Sequence, residues 1–165
     1  MLFRLTEKLR TRLYLSKLQE AELDANPLAD WTVSLFSADR TQFLLVTNTA
    51  CLYSGVCFAR GFIKEPQFIP RCLETIREAM EEDGIREIYD RLIAPSSEVV
   101  TFAKTHSRSV TGSMNDLTKF AKLWLAEGEL APSQVSIRLN DILMGAMRYV
   151  SPKQALRELV KKLSE

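Results

Sequence analysis

The sequence predicts an α+β fold: a small, mainly antiparallel sheet, built on a three-strand meander with one or two further strands and covered by amphipathic helices. Three observations carry this. Strand-length stretches with a period of two or a continuous apolar run fill the region from Trp31 to Phe58. Long segments on either side of Ser96 repeat apolar residues at helical spacing. Gly84, Pro95, Gly128 and Pro132 punctuate the helical segments, and Pro70 is tolerated in the first turn of its helix.

Taken in order, Met1 to Leu5 suits a short strand, and Thr6 can cap a helix with Leu9 and Leu13 on one side. Arg4, Lys8, Arg10 and Arg12 give this start a basic character. Glu7 and the scattered positions make it a solvated helix face rather than a nucleic-acid patch. Ser16 to Ala29 is polar and broken at Asn26-Pro27, as a surface connection would be. Trp31, Val33 and Leu35 alternate with Thr32, Ser34 and Phe36, which predicts a half-buried strand. Asp39-Arg40 supplies a turn, Phe43 to Val46 reads as a central strand, and Thr47-Asn48-Thr49 turns into a third strand over Cys51 to Phe58.

Helical spacing then returns. Ile69, Cys72, Leu73, Ile76, Ala79 and Met80 share one face, and Gly84 ends that helix. Ile85, Ile88, Tyr89, Leu92 and Ile93 form a second helix that stops before Pro95. The pair is expected to cover one face of the sheet, with Cys72 as a core thiol. Val99, Val100 and Phe102 predict a further strand. Ser113-Met-Asn-Asp116 fits a capping box, with Leu117, Phe120, Ala121, Trp124 and Leu125 on the buried side of the helix that follows. After Gly128 and Pro132, Ser133 can cap a helix containing Val135, Leu139 and Ile142, and Met144-Gly145-Ala146 offers a stop. Ser151-Pro152-Lys153-Gln154 is a second capping-box match, followed by Leu156, Leu159, Val160 and Leu163. No repeat, low-complexity tract or long linker divides the chain, so 1–165 is expected to be a single domain.

With 22 basic and 21 acidic side chains the formal charge is +1, which argues against a dedicated nucleic-acid binder held by phosphate contacts. Cys51, Cys57 and Cys72 are odd in number and form no CxxC pair, so a disulfide framework is excluded and a reducing compartment fits. The charged start MLFRLTEKLR lacks the apolar core of a signal peptide, and no apolar run approaches a membrane span. The expectation is a cytoplasmic protein without membrane association.

Polar and small residues crowd most densely in FAKTHSRSVTGSMND, Phe102 to Asp116. The predicted strand enters it and the capping box closes it, giving strand, loop, helix. A loop so placed presents unpaired amides and the positive end of the helix dipole. Thr105, Ser107, Ser109, Thr111 and Ser113 add hydroxyls beside Lys104 and Arg108. The pattern is not a Walker loop, since GxxxxGK[ST] is absent and Gly112 stands alone. The bland alternative is that these hydroxyls satisfy the backbone of a tight connection and that Arg108 pairs with a carboxylate elsewhere.

His106 is the only histidine, and the cysteines lack zinc-ligand spacing, so no multi-histidine or zinc site is expected. A hydrolase would need His106 as base, Asp116 to orient it, and Ser109 or Ser113 as nucleophile, yet no GxSxG elbow is present. Asp30, Asp39 and Asp116 could converge on a divalent cation, although turn and cap roles account for each more simply. Asn48, Asn115 and Asn140 are polar residues in otherwise apolar neighbourhoods, and one or two of them are expected to hydrogen-bond the loop's backbone rather than a ligand.

The segments DWTVSLFSADRTQFLLVTN (Asp30 to Asn48), AKTHSRSVTGSMNDL (Ala103 to Leu117) and RLNDILMGAMRY (Arg138 to Tyr149) together resemble an uncharacterised family of small bacterial proteins, a domain of unknown function. The most distinctive piece is the SRSV-GSMNDL run at Ser107 to Leu117. The resemblance implies a bacterial source and carries no catalytic residue. The family pattern has asparagine where this chain has His106, which weakens the case for a catalytic histidine.

The reading that best joins these observations is a non-enzymatic binding or interaction module with an anion-accepting loop over residues 105–113. Its expected contacts are Lys104, Thr105, Ser107, Arg108, Ser109, Gly112 and Ser113, its guest is a phosphate-bearing small molecule or partner, and it uses no cofactor or metal. A hydrolase or transferase using His106 is the second reading. A homodimer or toxin–antitoxin-like partner protein using an apolar helix face is the third.

Overall fold

Strand β2 (Asp30–Ala38) is the spine of the protein in the computed structural model, which describes residues 1–61 and 65–165. It turns through Asp39 and Arg40, at φ +46° and +62°, into antiparallel β3 (Thr41–Asn48). Two successive left-handed residues match the right-handed twist of the flanking strands, so the hairpin closes without splaying them. β3 then pairs antiparallel with β4 (Ser54–Phe58), which gives the three consecutive strands expected.

The sheet as a whole is mixed rather than a plain meander. β1 (Leu2–Leu5) lies parallel to β2, and β5 (Thr101–Lys104) lies parallel to β1, in the order β4-β3-β2-β1-β5. Parallel neighbours need crossovers, and helical segments supply them. The fifth strand starts later than its apolar residues suggest. Val99 lies outside it, and its carbonyl accepts a hydrogen bond from the N-terminal amine at 3.1 Å.

Both faces of β2 and β3 are covered. Phe3, Leu5, Trp31, Val33, Leu44 and Val46 belong to one buried cluster. Phe36, Ala38, Phe43, Leu45 and Val56 belong to another. This double burial explains why Phe43 to Val46 is continuously apolar. Helix α1 (Glu7–Arg12), helix α2 (Glu65–Glu82), the short α3 (Arg86–Ile88) with its π-helical and 3-10 continuation to Glu98, and the C-terminal helix α6 (Pro152–Leu163) contribute to the first cluster. Helices α4 (Arg108–Ala126) and α5 (Pro132–Asn140) contribute to the second. Cys72 is fully buried in the first cluster, as a core thiol should be.

Several boundaries follow the sequence signals. Gly84, at φ +70°, follows α2, and Ser151 with Gln154 forms the capping box of α6. Two differ. Ala131 rather than Ser133 precedes α5, and the Gln134 side chain accepts from the Ala131 amide at 2.9 Å. Helix α4 begins at Arg108, more than a turn before the capping-box match at Ser113.

Edge strand β4 is closed by a helix rather than by another strand. Ser136 Oγ accepts from the Val56 amide at 2.8 Å, while Asn140 accepts from the Ser54 amide and donates to the Ser54 carbonyl, both at 2.8 Å. These positions are one helical turn apart on α5, so the helix presents polar groups in step with the strand. On the other side of β4, a Cβ on Gly55 would lie 2.8 Å from Thr75 Cγ2 and 3.0 Å from the Thr75 carbonyl oxygen. Glycine is what lets α2 seat there.

Candidate functional site

The site is organised from beneath by one buried ion pair. Arg4 sits on β1 one residue before Leu5, on the face opposite Phe3 and Leu5. Its Nε and Nη2 donate to Asp30 Oδ1 and Oδ2, each at 2.8 Å, in a bidentate pair. Nη2 also donates to the Glu22 carbonyl at 2.8 Å, and Nη1 to the carbonyls of Ala21 at 3.0 Å and Lys104 at 3.4 Å. Every donor of the guanidinium is thereby used. Asp30 is matched from its side: the Asp24 amide donates to it at 3.0 Å and Thr49 Oγ1 at 2.8 Å. Burial pushes the Asp30 carboxyl upward, but hydrogen bonds from Arg4, the Asp24 amide and Thr49 outweigh it and hold the group below its usual value.

The pair fixes the irregular segment between α1 and β2 as a strap along the sheet edge. Besides the Arg4 contacts, the Gln19 carbonyl accepts from the Lys104 amide at 2.9 Å, on the open edge of β5. Asn26 caps the 3-10 turn Pro27–Ala29 and donates to the Leu92 carbonyl at 3.1 Å. The strap is therefore tied to structure at several points, and Arg4 is an internal anchor rather than part of a solvated basic face. Arg10 pairs with Glu7 on the exposed side of α1.

A cleft of about 390 Å³ opens between this strap and the end of β5. Lys104, Thr105 and His106 line one side, Glu20, Ala21 and Glu22 the other, with Arg4 also reaching it. Its position has a topological cause. β1 and β5 are adjacent and parallel, but β1 leads into α1 on one face of the sheet and β5 leads into α4 on the other. Where adjacent parallel strands send their chains to opposite faces, a crevice is left at their carboxyl ends.

The residues predicted for the anion loop are distributed unevenly around that cleft. Lys104 and Thr105 line it, as does His106. Ser107 is the N-cap of α4, and its Oγ accepts from the Val110 amide at 3.2 Å, so that oxygen is engaged by the helix. Arg108 and Ser109 are exposed in the first helical turn, where backbone amides have no intrahelical acceptor. Among the described residues no ion pair holds Arg108. Gly112 lies on the exposed helix surface, and Ser113 is buried within the helix at 7% exposure. Residues 108–113 are thus helix rather than loop, and Ser113 is not a cap. The reason is that Ser107 holds an extended conformation, at φ −148° and ψ 156°, with a hydroxyl three residues before a free amide.

The other chemical candidates separate. Asp30 is engaged by Arg4, Asp39 sits in the β2–β3 turn, and Asp116 is exposed on α4 with Lys119 at 3.5 Å. Among the described residues no group of three or more His, Cys, Asp or Glu could hold a metal ion. His106 is exposed and, among the described residues, makes no hydrogen bond to a carboxylate that would orient it as a base. Asn48 accepts from the Ala50 and Cys51 amides and Asn140 closes the β4 edge, so both satisfy backbone of β4 and the turn before it rather than that of residues 105–113. The residues missed from the sequence are Arg4 and Asp30 as partners, and Glu20 and Glu22 as cleft walls. Nothing local signals them, because β1 and β2 meet only through the parallel register that sets Leu2 opposite Asp30.

Fold and site together define an α+β protein with a mixed five-stranded sheet and a polar edge cleft over a buried Arg–Asp pair. Residues 2–155 match the family model described as Domain of unknown function (DUF6933), and the chain belongs to that family. No curated protein matches the chain. Among the described residues no helix is long and apolar enough to cross a membrane.

Proposed function

We propose that this protein is a non-enzymatic binding module whose guest carries a phosphate or similar anionic group, held where β5 passes into α4. The supporting observation is the coincidence of the 390 Å³ cleft with the carboxyl ends of two parallel strands and the start of a 19-residue helix. Lys104 supplies a cation at the cleft wall, Thr105 a hydroxyl, and the amides of Arg108 and Ser109 the positive end of the helix dipole. Arg108 adds an exposed guanidinium beside the cleft. Ser107 shapes this end through its cap, while Gly112 and Ser113 drop out of the contact set. Glu20 and Glu22 on the facing wall favour a guest that also carries hydrogen-bond donors or a cationic group. That makes a phosphate-bearing small molecule a better fit than a bare polyanion. The setting is a bacterial cytoplasm.

Calorimetry of the intact chain with inorganic phosphate, nucleotides and short oligonucleotides tests the reading. The expected outcome is saturable heat with a phosphate-bearing small molecule, and at least a roughly fivefold loss of affinity in Arg108→Ala and in Lys104→Ala, the scale of one charge-assisted hydrogen bond. Neither variant should change the melting temperature. Absence of heat with every probe would remove the proposal.

A further inference from the structure

The outward face of α4 carries a pattern that fits a second copy of itself. Phe120 is 42% and Leu123 56% exposed on this helix, the Phe120 and Trp124 rings lie 5.7 Å apart, and Leu143, 61% exposed, shares a groove with Phe120. Isolated exposed apolar residues are ordinary, but here Phe120 adjoins both Trp124 and Leu143, with Leu123 one turn along the same helix. The charges around the patch indicate what covers it.

We infer that two copies of this chain pair through α4, antiparallel, about a two-fold axis between Leu117 and Thr118. In that register Asp116 faces the partner's Lys119, and Arg108 faces the partner's Glu127. Gly112 faces the partner's Leu123, a small residue opposite a large one, and Asn115 faces the partner's Phe120. All of these residues are exposed in the single chain, where Asp116 and Lys119 lie 3.5 Å apart on one helix and are free to exchange partners across the seam. The a and d positions of such a seam would be Ser109, Gly112, Asp116, Lys119, Leu123 and Ala126, spaced alternately by three and four. Small residues toward both ends allow close approach, and the helix dipoles oppose one another favourably. A parallel pairing has none of this, because it sets Asp116 against Asp116 and Lys119 against Lys119. An isologous contact of this kind closes on itself and forms no fibre.

The surface is independent of the anion cleft except at Arg108, so the test avoids that residue. Sedimentation velocity is run on the intact chain across a wide concentration range, on wild type, on Asp116→Lys, on Lys119→Asp, and on an equimolar mixture of the two variants, one carrying a mass tag. Each variant alone gathers four like charges at the centre of the seam and should raise the dissociation constant roughly a hundredfold, since like charges juxtaposed across an interface are strongly unfavourable. The mixture restores opposite charges at every contact and should form a heterodimer at wild-type strength. That recovery also shows that both variants are folded. A wild-type chain that stays monomeric throughout overturns the inference. So do a dimer indifferent to both substitutions, which must use another surface, and a mixture that fails to recover, which excludes the antiparallel register.

Discussion

Arg4 and Asp30 show how far a residue's neighbours in sequence can mislead about its role. Arg4 sits among Lys8, Arg10 and Arg12 and reads as part of a basic surface, yet it is 1% exposed. Breaking such a pair leaves an uncompensated buried charge, so Asp30→Asn should lower stability by about 3–5 kcal/mol in urea unfolding. The same pair sets an acid limb. Asp30 is held below its ordinary value of 3.8 in the folded chain, so the pair contributes fully above that pH and its contribution is lost as pH falls through the lower, folded value. Unfolding followed from neutral pH down to the acid range should show a shallower loss of stability in Asp30→Asn than in wild type. Ser107 and Ser113 make the complementary case. Both begin plausible helix caps, but only Ser107 has its hydroxyl on a free amide. Ser107→Ala should therefore cost about 1 kcal/mol, and Ser113→Ala distinctly less, as thermal melts of the two would show.

At the scale of elements, periodicity revealed what needs only local information. The continuous run at Phe43 to Val46 and the helical face around Ile76 appear as read. The alternation at Trp31, Val33 and Leu35 is a strand, but one buried on both faces rather than half-buried, and the segment around Ile88 is a short α-helix that runs on as π-helical and 3-10 turns. Pattern alone misplaces the start of α4, because from Arg108 to Gly112 only Val110 is apolar and packs on the core, too little to set a period. The role of α5 was hidden for a related reason. Ser136 and Asn140 look like ordinary helix residues until β4 is placed beside them, when they become the acceptors for two buried strand amides. Replacing Asn140 by leucine strands the Ser54 amide and carbonyl, each without its partner, at a cost of about 1–3 kcal/mol per group. It also reopens a sheet edge to intermolecular pairing, so that variant should both melt earlier and aggregate sooner on heating, by calorimetry and light scattering. The Tyr53–Asp83–Lys153 cluster plays a similar tying role. Tyr53 lies 2.7 Å and Lys153 2.6 Å from the Asp83 carboxylate, which joins the end of the β3–β4 connection to α6. Burial first, and then that carboxylate, push the Tyr53 hydroxyl's pKa upward, so it stays protonated as a donor.

For the molecule as a whole, the fold class was legible and the strand order was not. Nothing in Met1 to Leu5 or Thr101 to Lys104 says that these strands lie side by side, because parallel pairing is set by crossovers nearly a hundred residues apart in register. That one pairing is nevertheless what makes the cleft. It brings the carboxyl ends of β1 and β5 together, sends α1 and α4 to opposite faces, and leaves the strap to form the far wall. Lys104 and Thr105 were identifiable from their crowding with hydroxyls and cations before a helix, whereas Glu20 and Glu22 required the folded strap. The proposed function depends on this cleft taking an anion. A nitrogen-15 amide titration of the intact chain with inorganic phosphate tests it most directly. Saturable shifts confined to Lys104 through Ser109 and the strap residues Glu20 to Glu22, abolished in Lys104→Ala, are the predicted result. Shifts scattered over the surface, or none at these amides, would contradict it.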